Sequence, residues 1–528
     1  SSSFLRQIQP AKENRTLSLV WSEDGKTIAQ IQTQSRSRPA SSSPATADIK
    51  SIKSASLRAQ VAFARENSLW LFAARRQQRL IRGGYTDALG GKGYADRDAA
   101  IARQQIGQLG QLALDRGLLV SYDGISPQML GQMPLMMRRD GMMNVTTNGP
   151  LILANLKYFN EEIAELAREG KSVEEIYNHV FVEGLVRNAA EELSEAVKAG
   201  EPGGVSIEVR SHYTDAGVML EEAKLLAGSV GVPGMVMNKI PASGQVVGDE
   251  FKGPGIEAIS KAIEEGLYPN VTVIFCSIKQ IKAVARAIVE GLRLRISRLR
   301  SEGKSKIEVT KEMQKFKSFV SYFVSRITTV LMNETKVIRA IRESRTKEEK
   351  LRFLQLVLDA APAFFVNGHS VFLDELEELD FTEIAAAYGV EDPIELDAST
   401  GEKAVKRDSE FVKALTEGEG ALGLDELAQV LLIEGREAQY QNWGFYVYRM
   451  ARAGAMNTIP IAIYDKIAAG QGARNIKPMA LNEAMAILTK VNETFNLTDE
   501  RWEAIAERLL REGINSFIIA EQKLRVGI

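Results

Sequence analysis

The chain has 528 residues, 45% hydrophobic and 25% charged, with a formal net charge of −2, an ordinary soluble globular composition long enough for one large domain or two. No apolar run approaches the roughly 20 residues that a membrane-spanning helix needs, so no transmembrane segment is expected. The single cysteine, Cys276, excludes an intrachain disulfide; three isolated histidines without a CxxC or HExxH pattern argue against a metal site, and no GxxxxGK[ST] phosphate loop is present.

In chain order, the first element is a hairpin. Thr16–Trp21 and Thr27–Thr33 are β-rich runs on either side of Glu23-Asp24-Gly25-Lys26, and Asp-Gly between such runs signals a turn. Residues 34–52 have a Ser/Ala/Pro/Arg-rich linker composition, and residues 54–82 read as a basic helix. This divides the chain into an extension (1–53), a basic helical segment (54–117) and a main body (118–528). Residues 1–85 carry 14 Lys+Arg against 5 Asp+Glu, a basic arm on an acidic body. Such an arm suggests docking, on the body itself or in a protein complex. No nucleic-acid module is recognisable in it, so no nucleic acid is expected as a partner. The early Ser/Ala/Arg-rich, acid-poor stretch resembles the end of an organelle transit region, which favours a plastid stroma, with the cytoplasm as the alternative.

From residue 118 short β-rich runs alternate with helical stretches. The runs are Leu118–Tyr122, Met143–Thr146, Val205–Val209, Met235–Ile240, Val271–Phe275 and Phe319–Ser325. Between them lie the helical patterns Asn160–Glu169, Ser172–Val197, Leu220–Leu226, Gly255–Gly266, Ile278–Arg300 and Ile307–Lys317, and Leu481–Arg525 reads as helical throughout. Strand–helix alternation of this length predicts an α/β fold with a parallel sheet, closed as a (β/α)8 TIM barrel rather than open. The absence of GxGxxG after the first strand also argues against a dinucleotide fold.

Polar residues stand at the C-terminal ends of these runs, where a barrel has its mouth. Lys239, inside Met235–Ser243, is flanked by apolar residues and followed by Pro241. Desolvation disfavours the charged form of an amine there, and a neutral amine attacks a carbonyl to form a Schiff base. The alternative is a strand-end lysine whose amine reaches water. Asp123, Thr146-Thr147-Asn148, Glu208 and Arg326 would join it, giving an amine, carboxylates, an amide, hydroxyls and a guanidinium in one place.

The phrases VTTN (145–148), SIEV (206–209), KIPA (239–242), NVTVIF (270–275) and SYFVSR (321–326), in this order, resemble transaldolase, most closely the plastid and isomerase-fusion branch. Met456–Pro460 is similar to that family's final barrel strand, and Arg508–Gly527 to its terminal helix. The resemblance implies a class I aldolase-type barrel with an additional N-terminal hairpin and helix and C-terminal helices. It implies no cofactor, sugar phosphates as substrates, and transfer of a dihydroxyacetone unit in the pentose phosphate pathway. Lys239 would form the Schiff base, Glu208 would move protons through a water, and Asp123 would take and return the donor hydroxyl proton. Asn148, Asn270 and Thr272 would hold substrate hydroxyls, Ser321 and Phe323 would shape the donor pocket, and Arg326 would bind phosphate. Alternatives stay open residue by residue: Asn148 as a helix cap, Thr272 as an ordinary strand residue, Glu208 with Arg326 as a structural ion pair.

The chain departs from the pattern in four places. Gly149 stands between Asn148 and Pro150. Asn238 replaces an apolar residue, and strand alternation points it at the helix layer. Residues 243–254 look like an insertion over the mouth. Residues 335–450 do not follow the family and leave the seventh strand unplaced, with Ala361–Val366 and the Ala398–Lys403 phrase as candidates. Two other functions remain open: a barrel recruited as a non-catalytic scaffold or assembly subunit, and a Schiff-base aldolase that cleaves without transfer.

Overall fold

The computed structural model describes strands at 15–21 and 27–33, residues 107–110, and most of 119–379 and 445–528, together with 394–396 and 403–405. The linker and the basic helix expected over 54–82 lie outside the described residues. The hairpin is present: β1 (Arg15–Trp21) pairs antiparallel with β2 (Thr27–Thr33).

Seven parallel strands form the central sheet. They are β3 (Leu119–Asp123), β4 (Met142–Thr146), β5 (Gly204–Glu208), β6 (Val236–Pro241), β9 (Pro269–Val273), β10 (Phe319–Tyr322) and β13 (Met456–Pro460), in the spatial order β10-β9-β6-β5-β4-β3-β13. Besides the β1–β2 hairpin, two short antiparallel pairs among the described residues lie outside it, β7 (Gln245–Val247) with β8 (Glu250–Lys252) and β11 (Ile394–Leu396) with β12 (Lys403–Val405). Alternation decides what each strand presents. Val120, Tyr122, Ile207, Ile240, Val271 and Ile459 pack into the helix–sheet core. Their neighbours face the other side of the sheet, which curls. Phe319 and Met456, on the two outermost strands, meet Met237 of a middle strand in one apolar cluster. All six expected barrel strands and Met456–Pro460 are thus found. An eighth strand is not among the described residues.

The helices are α1 (Pro127–Asp140), α2 (Gly149–Asn155), α3 (Asn160–Arg168), α4 (Val173–Tyr177), α5 (Arg187–Ser194), α6 (Ala216–Val230), α7 (Pro254–Glu264), α8 (Ile278–Ser301), α9 (Lys306–Met313), α10 (Val324–Asn333), α11 (Thr335–Glu343), α12 (Lys347–Glu378), α13 (Phe445–Arg449), α14 (Leu481–Phe495) and α15 (Asp499–Gly527). Sequence periodicity misses α1, whose two prolines and glycine hide it. It is delimited by local chemistry instead: Ser126 accepts from the Met129 N–H at 3.2 Å, and Gly141 ends it at φ 66°.

Four expectations need correction. Ser172–Val197 is not one regular helix, because Asn178–Val186 is wound as a π-helix between α4 and α5. Leu481–Arg525 is broken at Asn496, which takes a left-handed φ of 49°, and Thr498 starts α15 anew. The sixth strand ends at Tyr322, so Arg326 sits in the first turn of α10. Ala361–Val366 is not a strand; it lies within the 32-residue α12, because a short apolar run does not distinguish a strand from a buried helix segment. Among the described residues α12 alone, over 347–376, is long and apolar enough to cross a membrane, but 71% of its most apolar stretch is buried inside the fold, as in a core helix.

Candidate active site

β6 delivers Lys239 to the mouth, only 2% exposed. Its Nζ donates to Thr146 Oγ1 at 2.8 Å and lies 5.8 Å from the centre of the Phe323 ring. Thr146 is on β4, two strands away, so the contact exists because the sheet curls. Asn238, one residue earlier, points the other way as alternation predicts, and its Nδ2 donates to Ala223 O of α6 at 3.1 Å.

Glu208 is the register partner of Lys239 on β5. Burial pushes its carboxyl up to about 7, against the lowering influence of Lys239, the Gly149 N–H and Arg326; Glu222 adds to the rise. Gly149 N donates to Oε2 at 3.3 Å, whereas Oε1 is buried without a hydrogen-bond partner among the described residues. A carboxyl that titrates near neutrality and keeps one oxygen uncommitted is suited to proton transfer.

On the other side of Lys239, Asn270 of β9 is its register partner. Asn270 donates to Ser206 Oγ at 3.0 Å and accepts from Ser321 Oγ, linking β5, β9 and β10 below the amine. Thr272, one layer higher, is buried with its Oγ1 unpartnered among the described residues. Ser121 and Asn144 form the matching pair under β3 and β4, at 2.8 Å. Asp123 ends β3 level with Thr146, half-buried at the rim.

Arg326 lies against two aromatic rings. Its Cζ is 5.1 Å from the Phe323 ring centre and 5.9 Å from that of Phe517 on α15. Arg210, two residues beyond Glu208, stacks 3.9 Å over Tyr177 and pairs with Glu174 (2.7 Å), Glu222 (3.2 Å) and Glu521 (3.6 Å).

The structure thus brings Lys239, Glu208, Asn270, Thr272, Ser321, Phe323 and Arg326 to one end of the sheet, with Asp123 on its rim. Asn148 stands at the same end, two residues past Thr146 and next to Gly149. Its Oδ1 accepts from Leu151 N at 3.0 Å and caps α2, the structural alternative considered for it. Two contributors are missing from the sequence reading, Ser206 and Phe517, while Thr146, named there among the strand-end polar residues, is the acceptor for Lys239. Alternation could have found Ser206, since it lies two residues before Glu208 on the same face of β5. No local signal marks Phe517.

The 243–254 segment forms the β7–β8 hairpin beside the mouth rather than across it. Glu250 meets Arg286 at 3.6 Å and Lys279 reaches Gly248 O at 3.5 Å, so the hairpin rests on α8. It lines a surface cleft of about 970 Å³ to which no candidate site residue contributes. Gly255 permits this exit: a Cβ there would collide with Pro241 O and Ser243 N, where the chain turns back against β6.

A curled parallel sheet that ends in a buried lysine, a carboxyl raised to about 7 by burial and an arginine beside two aromatic rings sets a broad class, α/β proteins with a buried polar site at one end of the sheet. Comparison with known proteins narrows it. A model of the family "Transaldolase/Fructose-6-phosphate aldolase" matches residues 120–361. The chain is similar to transaldolases of Kocuria rhizophila (29% identity over 223 residues, 41% of this chain and 54% of that protein), Mycolicibacterium smegmatis (32% over 223 residues, 40% and 53%) and Renibacterium salmoninarum (27% over 290 residues, 52% and 70%). It spans about half the length of the first two.

Proposed function

We propose that this chain is a transaldolase-type transferase acting on sugar phosphates. The supporting observation is the group formed by Lys239, buried and bonded to Thr146, and Glu208 in register beside it. The Lys239 amine adds to the C2 carbonyl of a ketose phosphate, and water leaves with a proton from Glu208, giving an imine. Asp123 takes the proton of the C4 hydroxyl; the C3–C4 bond breaks, its electron pair enters the imine as an enamine, and an aldose phosphate departs. The enamine then adds to an acceptor aldehyde, Asp123 returns the proton to the new alkoxide, and hydrolysis frees the lysine. In this reading Asn270, Thr272 and Ser321 order the hydroxyl-binding layer, and Arg326 holds the phosphate as a planar fork.

The family model's description favours one further reading, an aldolase that releases the three-carbon unit without an acceptor. The same proposal extends to closure of the sheet as an eight-stranded barrel. It also extends to a place in pentose phosphate metabolism in a plastid stroma, and to the basic arm as a docking element.

The test is an assay with fructose 6-phosphate and erythrose 4-phosphate, with borohydride trapping read by mass spectrometry. Glyceraldehyde 3-phosphate that appears only with the acceptor, and a reduced adduct on Lys239, is the expected result. Product without acceptor would favour the aldolase. A folded protein with no adduct on Lys239 would sink both.

A further inference from the structure

The terminal helix α15 lies outside the family match, yet it reaches the site. Phe517 is 3% exposed, and its ring is one of the two that lie against Arg326. The same turn of α15 packs on the start of α2: a Cβ at Gly149 would stand 3.4 Å from Ala520 Cβ and 3.7 Å from Phe517 O. Gly149 is also the residue whose N–H holds Glu208. Ion pairs fix the helix on both sides of this point. Arg501 and Arg508 close on buried Glu334 at 2.5 and 3.1 Å, Glu521 meets Arg210 at 3.6 Å, and Arg525 meets Glu174 at 2.8 Å. Phe517 is therefore held, not merely nearby.

We propose that Phe517 is a positioning residue for Arg326, and that the two-ring clamp sets the preference for phosphorylated over unphosphorylated sugars. Rings against a guanidinium occupy its faces and leave its N–H edges to bind. A long side chain otherwise spreads over many rotamers, and ordering it at the moment of binding weakens the bond it makes. With Phe323 and Phe517 in place the fork is ordered beforehand. The inference rests on the sugar-phosphate reading of Arg326.

The experiment compares the full chain with Phe517→Leu, which keeps apolar bulk but removes the ring, and Phe517→Tyr, which keeps the ring; melting curves check that each folds. With Phe517→Leu, kcat/KM for fructose 6-phosphate should fall about tenfold more than that for fructose, mostly through KM, and Phe517→Tyr should restore the ratio. Equal losses on both sugars would mean a purely structural role and overturn the proposal. Inorganic phosphate, titrated calorimetrically, separates this from failure of the transferase reading. If the parent turns over neither sugar, the transferase reading fails. The clamp still stands if phosphate binds about tenfold more weakly to Phe517→Leu than to Phe517→Tyr, and falls if the two bind alike.

Discussion

The two ends of the curled sheet are built from the same strands and differ in one property. At the N-terminal end the inward positions are Met237, Phe319 and Met456, which form an apolar plug. Two residues further along the same strands stand Lys239, Ser321 and Thr458, all buried and polar. One pleat repeat thus separates a region that contributes stability from one that places buried polar atoms without full partners. Among the described residues Glu208 Oε1, Thr272 Oγ1 and Thr458 Oγ1 are all buried and unpartnered near the mouth. Each such group is destabilising by about 1–3 kcal/mol, so the upper layer is held in place by the lower one and by the helices. Stability and chemistry are divided by height along the strand, not by region of sequence.

Substitutions at the two levels should therefore separate. Lys239→Ala should lower turnover about 10⁴-fold or more and abolish borohydride trapping, while the melting temperature holds or rises, because a buried polar group is removed. Glu208→Gln should lower turnover about 10³-fold and remove the limb of the pH–rate profile near pH 7, where the parent loses its acid form. Its effect on stability has a definite sign. The folded carboxyl titrates near 7 and the unfolded one near 4.5, so folded protein binds more protons between those values. The group is without penalty below pH 4.5; the penalty grows as pH rises and levels off above 7 at about 3 kcal/mol. Denaturant titrations of parent and variant across pH 4–8 should diverge in that window, with the variant gaining; parallel curves would refute the assignment.

At the lower level the pattern should invert. Phe319→Ala should reduce stability by about 3–5 kcal/mol and leave the activity of the molecules that remain folded near that of the parent. A large loss of kcat at full folding would contradict the division by height. The smallest effect belongs to Thr146→Val, which keeps shape but removes the acceptor for Lys239. It should lower kcat about tenfold with a stability change of about 1 kcal/mol, and Thr146→Ser should rescue most of the rate.

Much of the mouth was legible because strands have a period of two. Once Lys239 is taken as inward, Asn238 must meet the helix layer, and it does. The same rule, applied to β4 and β5, points to Thr146 and Ser206. Asn148 stands beyond the strand end, where alternation no longer fixes a direction, and its Oδ1 begins α2. Arg326 was assigned the right level but the wrong element, since Phe319–Ser325 reads as a continuous β-rich run and only its backbone turns at Phe323. The Phe517 contact depends on how α15 crosses the mouth, which no local pattern specifies. Ala361–Val366 shows the opposite failure: its apolar run is real, but its length in context, 32 residues of helix, is what decides the period.

The pairing of β13 with β3 joins residue 119 to residue 456 across most of the chain. On a ribosome, β3 would emerge long before its partner, leaving one edge with unsatisfied N–H and C=O groups while more than 300 residues are still to be made. Non-local parallel pairing of this kind also closes slowly in free refolding. Its quality-control burden should thus fall on the interval between the synthesis of these two strands, when an incomplete sheet is most open to holdase chaperones and to self-association.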